Sequence, residues 1–156
     1  MIDIQALSWQ TLTPEVKIPT AVANWLIDTK SLTAKLKDKY ADFGVKVISQ
    51  TSQSPYVHEQ PLLGDTQQAV VREVELMGNQ QVVVFARSVI PQTADTQSLL
   101  EIGSKPLGEV LFNDPNITRG ALQITHVDGV WGRRSTFTIG ETPILVSEFF
   151  LESLYA

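Results

Sequence analysis

Apolar residues recur at three- and four-residue spacing early in the chain and switch to strict alternation after about residue 44. Val22, Trp25 and Leu26 share one face of AVANWLIDT, a stretch opened by Pro19 and Thr20, which predicts a helix. Ser31 is suited to cap a second short helix, LTAKLKDKYADF, where Leu32, Leu36 and Tyr40 stack at four-residue spacing and Gly44 is the expected stop. VKVISQTS, AVVREVEL, QVVVFARSVI, GALQITHVD, RRSTFTIG and PILVSEFFL then read as strands. MGNQ and GETP carry turn residues at the joints of two hairpins. Between the third and fourth strands, ADTQSLLEIG and PLGEVLF read as short helices, with Pro106 at the first position of the latter. Short antiparallel hairpins with helices segregated to one side imply an α+β domain, one sheet of about six strands spanning residues 1–156 as a single unit.

The alternation also says where charges point. Arg72 shares a face with Val70, Val74 and Leu76, whereas Glu73 and Glu75 lie on the other. Arg87 shares a face with Val83, Phe85 and Val89, and Glu148 with Ile144, Val146 and Phe150. Three charges thus stand on apolar faces, and each needs a partner, because an isolated buried charge is very costly. Two readings stay open at this point. The three can satisfy one another as a buried ion-pair cluster, which by itself says little about purpose. Alternatively, two inward arginines against one glutamate leave surplus positive charge suited to an anionic ligand, since Arg recognises carboxylates in a bidentate way.

Composition narrows the classes. A chain of 156 residues with 43% hydrophobic and 19% charged positions is an ordinary globular domain. A net charge of −5 with scattered basic residues argues against a nucleic-acid surface. Cysteine is absent, which excludes a disulfide framework and a thiolate metal site and fits the cytoplasm. The N-terminus MIDIQALSWQTLTPEV lacks the plan of a signal peptide, and no apolar run reaches the roughly 18 residues of a membrane span.

Other candidate chemistry is thin. His126, on the Leu122/Ile124 face, is expected to be a hydrogen-bonded core histidine, and His58 in SPYVHEQP a surface residue. The glycines form no phosphate loop or dinucleotide fingerprint, the acidic residues are too dispersed for a metal cage, and Ser135 and Ser147 lack a base.

REVEL, ARSVIP, GSKPLGEVLF, GVWGRRSTFTI and PILVSEFFL, in this order, resemble the chorismate pyruvate-lyase family of bacterial ubiquinone biosynthesis. The resemblance runs from about Trp25 to Leu151, with KPLGEVLF, WGRRS and the final E-x-F-L element its most specific parts. It implies a cofactor-independent lyase that converts chorismate to 4-hydroxybenzoate and pyruvate. It also implies an antiparallel sheet with helices and flap-like loops over an internal site. The family's ligand-binding arginine falls on Arg72 and its glutamate on Glu148, both already turned inward by the alternation. Two further ligand positions match Leu32, where the family can carry methionine, and Leu107. FLESLYA departs from the proline more usual after F-L.

The resemblance implies a division of labour. Arg72 and the backbone amides of Leu32 and Leu107, each just inside an expected helix start, would bind the ring carboxylate. Arg87 would hold the enolpyruvyl carboxylate or departing pyruvate, and Glu148 would face the 4-hydroxyl. The expected protein is a cytoplasmic monomer without metal or organic cofactor, bound to no nucleic acid and not inserted in a membrane. The alternative is a non-catalytic domain of the same fold that binds a small aromatic acid, as in effector domains of some repressors. The roughly 24 residues before Trp25 are too few for the helix-turn-helix such a repressor would carry.

Overall fold

A computed structural model describes residues 3–28, 31–64, 68–103, 105 and 107–155. In chain order the elements are β1 (Gln10–Thr11), α1 (Thr20–Leu26), α2 (Leu32–Lys39), β2 (Phe43–Gln53) and α3 (Gln60–Leu63). There follow β3 (Ala69–Gly78), β4 (Gln81–Pro91), a 3-10 segment (Ala94–Glu101), α4 (Leu107–Phe112), β5 (Thr118–Arg119), β6 (Gln123–Val127), β7 (Val130–Ile139) and β8 (Thr142–Phe150). All strands join one antiparallel sheet in the order β1-β6-β7-β8-β4-β3-β2, with β5 paired to β7. The sheet has eight strands rather than the six expected. The additional ones, β1 and β5, are two residues long and too short to show alternation.

The α+β class is as the alternation implies, and the local signals explain most boundaries. The Ser31 side chain accepts from the Ala34 amide and opens α2. That helix stops at Lys39, however, and Gly44 belongs to β2, because Tyr40 is already extended. Asn79 and Gln80 both adopt positive φ, as a two-residue hairpin turn requires, and Asp128 and Gly129 do the same between β6 and β7. ADTQSLLE winds as a 3-10 segment, capped by Thr93 and Thr96. Pro106 lies outside the described residues.

Both faces of the sheet are covered. On one face α1 and α2 bury Val22, Trp25, Leu26, Leu32 and Leu36 against Val74, Leu76, Val84, Ala86 and Phe150. Further along the same face, Leu107 and Leu111 of α4 and Leu99 pack on Ile90, Phe137 and Ile144. The opposite face is covered by Leu63 of α3, over Ala69, Val71, Val89 and Leu145. Helices therefore lie on both sides of the sheet and not on one side alone, which corrects the expectation from sequence. An apolar residue on a strand of this sheet does not by itself say which layer it meets. A bulge in β4 adds to this: Leu76 pairs with Val84 but Met77 with Val82, which swings Val83 into the α1/α2 layer.

Candidate active site

Strand register places the charged residues on a grid. Directly opposed residues in an antiparallel pair share a face. Gln50, Arg72, Ser88 and Val146 form one row across β2, β3, β4 and β8. Val74, Ala86, Glu148 and Arg133 form the next row on the same face, across β3, β4, β8 and β7. Arg72 and Glu148 are thus separated by two strand spacings and one step along the strand, roughly 12 Å between Cα atoms. Between them lie only Ala86 and Ser88, a floor of small side chains.

Over that floor is a cavity lined by Arg72, Ser88, Glu148, Val146, Leu107 and Thr33, among others. Its free volume is about 30 Å³, room for about one water. Leu107, the first residue of α4, lines it, whereas Leu32, the first residue of α2, turns its side chain into the core beside Leu36. The structure therefore brings Arg72, Leu107 and Glu148 together, with Leu32 adjacent to the lining residue Thr33.

Arg72 is 2% exposed. Its Nη1 donates to Gln50 Oε1 at 3.0 Å and its Nη2 to the Lys105 carbonyl at 3.3 Å. No carboxylate pairs with it among the described residues, and burial pushes its pKa down. Glu148 is different. Its Oε1 accepts from Arg133 Nε at 2.9 Å. Arg133 Nη1 in turn donates to the carbonyls of Trp25, Leu26 and Asp28 at the C-terminal end of α1. The Glu148 side chain retains 17% exposure, and no other hydrogen bond to it exists among the described residues, so Oε2 is left for the cavity.

Arg87 requires a correction. Three charges were expected to converge, but Arg87 sits on the other face, opposite Glu73 and Ser147. It is fully buried, and Glu59 clasps it with both oxygens at 2.9 Å. Glu73 lies at 3.4 Å and the Tyr56 ring at 3.8 Å from the guanidinium. Burial opposes its charge, but the Glu59 hydrogen bonds and the negative charges of Glu59 and Glu73 outweigh that, and its pKa is raised. The error has a definite origin: β4 is buried on both faces, so an apolar face there does not identify the cavity side.

The adjacent arginines of WGRR diverge for the same reason, Arg133 toward α1 and Arg134 toward the Arg87 layer. Arg134 donates to Gln123 Oε1 at 2.7 Å, meets His58 Nδ1 at 2.8 Å and donates to the His58 carbonyl at 3.2 Å. Burial pushes its pKa down to about 10, partly offset by Glu59, which leaves it charged at neutral pH. His58 is consequently half-buried rather than a surface residue, with Nε2 3.0 Å from the Ile4 carbonyl. Because Arg134 only donates, Nδ1 is the acceptor and Nε2 carries the hydrogen. His126 is exposed and stacked on Trp131 at 4.0 Å, not a core histidine.

Sequence reasoning missed Arg133, Glu59, Gln50 and Ser88. Arg133 was legible, since it alternates with Trp131 and Phe137. Glu59 lies in a loop segment with no periodicity and left no signal.

A larger hollow of about 330 Å³ lies on the opposite face beside Phe85 and Phe149. Its charged members are Glu75 and Asp128, which repel an acid. Charge, not size, singles out the Arg72 cavity. Among the described residues, no group of three or more His, Asp or Glu is placed to hold a metal ion, and no helix is long and apolar enough to cross a membrane.

The chain is similar to known proteins over nearly its whole length. The model of the family described as Chorismate lyase matches residues 4–156. A "Probable chorismate pyruvate-lyase" of Hydrogenovibrio crunogenus is 37% identical over 88% of this chain and 85% of that protein. One of Pseudomonas fluorescens with the same name is 40% identical, over 87% and 82%. The "Chorismate pyruvate-lyase" of Pectobacterium carotovorum subsp. carotovorum is 31% identical, over 95% and 86%. The chain belongs to the chorismate lyase family.

Proposed function

We propose that the protein eliminates pyruvate from chorismate and yields 4-hydroxybenzoate. The observation that carries this reading is the placement of Arg72, a buried guanidinium without a carboxylate partner among the described residues, opposite Glu148 across a floor of small residues. A flat ring with an acid at one end and a hydroxyl at the other matches that arrangement. Arg72 takes the ring carboxylate, with the amides of Leu107 and Leu32 at the starts of α4 and α2 beside it. Glu148 Oε2 accepts from the 4-hydroxyl, and Arg133 holds the carboxylate group in place.

In the reaction the ether bond at C3 breaks and the enolpyruvyl group leaves with its electron pair. C4 gives up its hydrogen as a proton, whose bonding electrons complete the aromatic ring, and the enolpyruvate methylene gains a proton to become pyruvate. Aromaticity supplies the drive, so the protein has chiefly to bind, orient and stabilise separating charge. Arg87, committed to Glu59 on the far face, braces the sheet in this scheme rather than holding the second carboxylate. The proposal includes a monomer and a cytoplasmic site of action.

The test is to incubate purified protein with chorismate in the presence of EDTA and follow 4-hydroxybenzoate by absorbance. Product formation is expected, and no product at any enzyme concentration would end the proposal. Arg72→Ala removes a charge-assisted bond worth roughly 1.5–3 kcal/mol, so 4-hydroxybenzoate affinity falls about ten- to a hundredfold. Arg72→Lys restores part of it, keeping charge but losing the fork.

A further inference from the structure

Among the described residues, seven hydroxyl side chains are buried: Thr33, Ser88, Thr96, Thr125, Ser135, Thr142 and Ser147. Four of them have partners. Thr96 donates to the Pro91 carbonyl at 2.7 Å, Thr125 to the Ser8 carbonyl at 2.7 Å and Thr142 to Asp95 Oδ2 at 3.0 Å, while Ser135 accepts from Arg119 Nε at 3.0 Å. The other three make no hydrogen bond among the described residues. None of these three oxygens is sealed off, since among the described residues the sealed side-chain atoms without a partner are Trp9 Nε1 and Tyr155 Oη; each hydroxyl is open to a ligand or water that reaches it.

Their positions differ. Ser147 pairs with Arg87 and Arg134 on the face away from the cavity. Thr33 lines the cavity but also an outer hollow beside Ser31, Lys37, Glu109 and Asn113, so its hydroxyl stands at a wall. Ser88 lies on the floor. It is 5% exposed, lines the cavity, and stands directly opposite Arg72 on β3. Directly opposed side chains start about 5 Å apart, close enough for both to reach one carboxylate. The Arg72 fork presents two parallel donors, and a hydroxyl from the next strand supplies a third from a different direction.

We propose that Ser88 is a further substrate-binding residue, whose hydroxyl donates to the carboxylate held by Arg72. The inference rests on reading this cavity as the aromatic-acid site. Its consequence is geometric. A bidentate arginine fixes the carboxylate in the guanidinium plane, and a third donor from β4 fixes how the ring tips over Ala86 and so where its far end stands relative to Glu148. Ser88 then sets ring orientation as well as affinity.

Isothermal titration of 4-hydroxybenzoate, benzoate and phenol into wild type, Ser88→Ala and Ser88→Thr tests this. One hydrogen bond from a hydroxyl to an ionised carboxylate corresponds to roughly a ten- to hundredfold change in affinity. Ser88→Ala is expected to lose that factor for 4-hydroxybenzoate and benzoate alike and to leave phenol, which lacks the carboxylate, unchanged. Ser88→Thr, which keeps the hydroxyl, is expected to retain affinity for both acids. The thermal midpoint of Ser88→Ala should be unchanged or higher, because the lost hydroxyl has no hydrogen-bond partner among the described residues. Equal affinities in wild type and Ser88→Ala would overturn the assignment, as would a loss confined to 4-hydroxybenzoate, which would put Ser88 at the hydroxyl end. If wild type makes no 4-hydroxybenzoate from chorismate yet Ser88→Ala weakens both acids, the lyase reading fails and the Ser88 assignment stands.

Discussion

Arg133 donates to Glu148 at 2.9 Å with Nε and to three carbonyls at the end of α1 with Nη1. One side chain thus ties the cavity's carboxylate to the helix layer above it. A glutamate in an apolar strand is stable there because an arginine on the neighbouring strand faces it, and it remains useful because only one of its oxygens is taken.

Glu148→Ala should therefore have two separable effects. Stability should fall by about 3 kcal/mol, the lower end for breaking a buried pair, since Arg133 keeps its carbonyl partners. Glu148→Gln should cost less, as an amide oxygen can still accept from Arg133. Urea melts measure both. Binding reports the second effect. Wild type should prefer 4-hydroxybenzoate over benzoate, and Glu148→Ala should narrow the gap, because a hydroxyl left unpaired costs roughly 1–3 kcal/mol. Equal weakening of both ligands would show that Glu148 does not read the hydroxyl.

Arg87 and Glu59 give a prediction of the opposite kind. Arg87→Leu should lower stability by about 3–5 kcal/mol, because Glu59, 1% exposed, is left as an uncompensated buried charge. The double variant Arg87→Leu/Glu59→Leu should recover most of that loss. In the folded double variant, 4-hydroxybenzoate affinity should match wild type, since neither residue lines the cavity. A large, specific loss of affinity would return Arg87 to the ligand.

What the sequence made legible divides along physical lines. Alternation within a strand is local, so the inward direction of Arg72 and Glu148 could be read from their own neighbours. Which layer covers a face depends on pairing partners far away in the chain, and Arg87 was misplaced for that reason. Glu59 fills its role from an aperiodic loop, and β4's bulge moves Val83 across the sheet; neither leaves a periodic trace. The two short strands escaped because two residues cannot alternate. His58 acquired its partners through Arg134 and the Ile4 carbonyl, contacts across 76 and 54 positions.

Tyr155 gives a pH prediction. Its hydroxyl is buried without a hydrogen-bond partner among the described residues, and burial pushes its pKa up to about 12. The folded state therefore holds the phenolic proton after the unfolded chain, at about 10, has released it. The associated stability is fully present below pH 10 and is lost as pH rises toward 12. Tyr155→Phe should flatten that alkaline decline in chemical melts at successive pH values, with neutral-pH stability unchanged or somewhat higher. An identical decline in the variant would assign it to other groups.

Access to the cavity gives the last prediction. A free volume near 30 Å³ cannot admit an aromatic acid, so part of the wall must move for the ligand to enter. The thinnest part of that wall is Thr33, which lines both the cavity and the outer hollow at the seam between α2 and α4. Lys37 and Glu109 bridge the same seam at 2.9 Å, but Lys37 is exposed and Glu109 partly so, and such a pair is worth little. Motion there is therefore cheap. A Cβ at Gly108 would stand 3.4 Å from Thr33 Oγ1, close to where a cysteine sulfur at position 33 would lie and compatible with a disulfide. The chain has no cysteine of its own, so Thr33→Cys/Gly108→Cys creates a single possible bridge. Oxidation should slow 4-hydroxybenzoate association at least tenfold in stopped-flow binding, and reduction should restore the rate seen before oxidation. The reduced double variant controls for the substitutions themselves, including loss of the Thr33 hydroxyl. If bridged and reduced forms bind at the same rate, ligand enters elsewhere and the α2/α4 seam is a fixed wall.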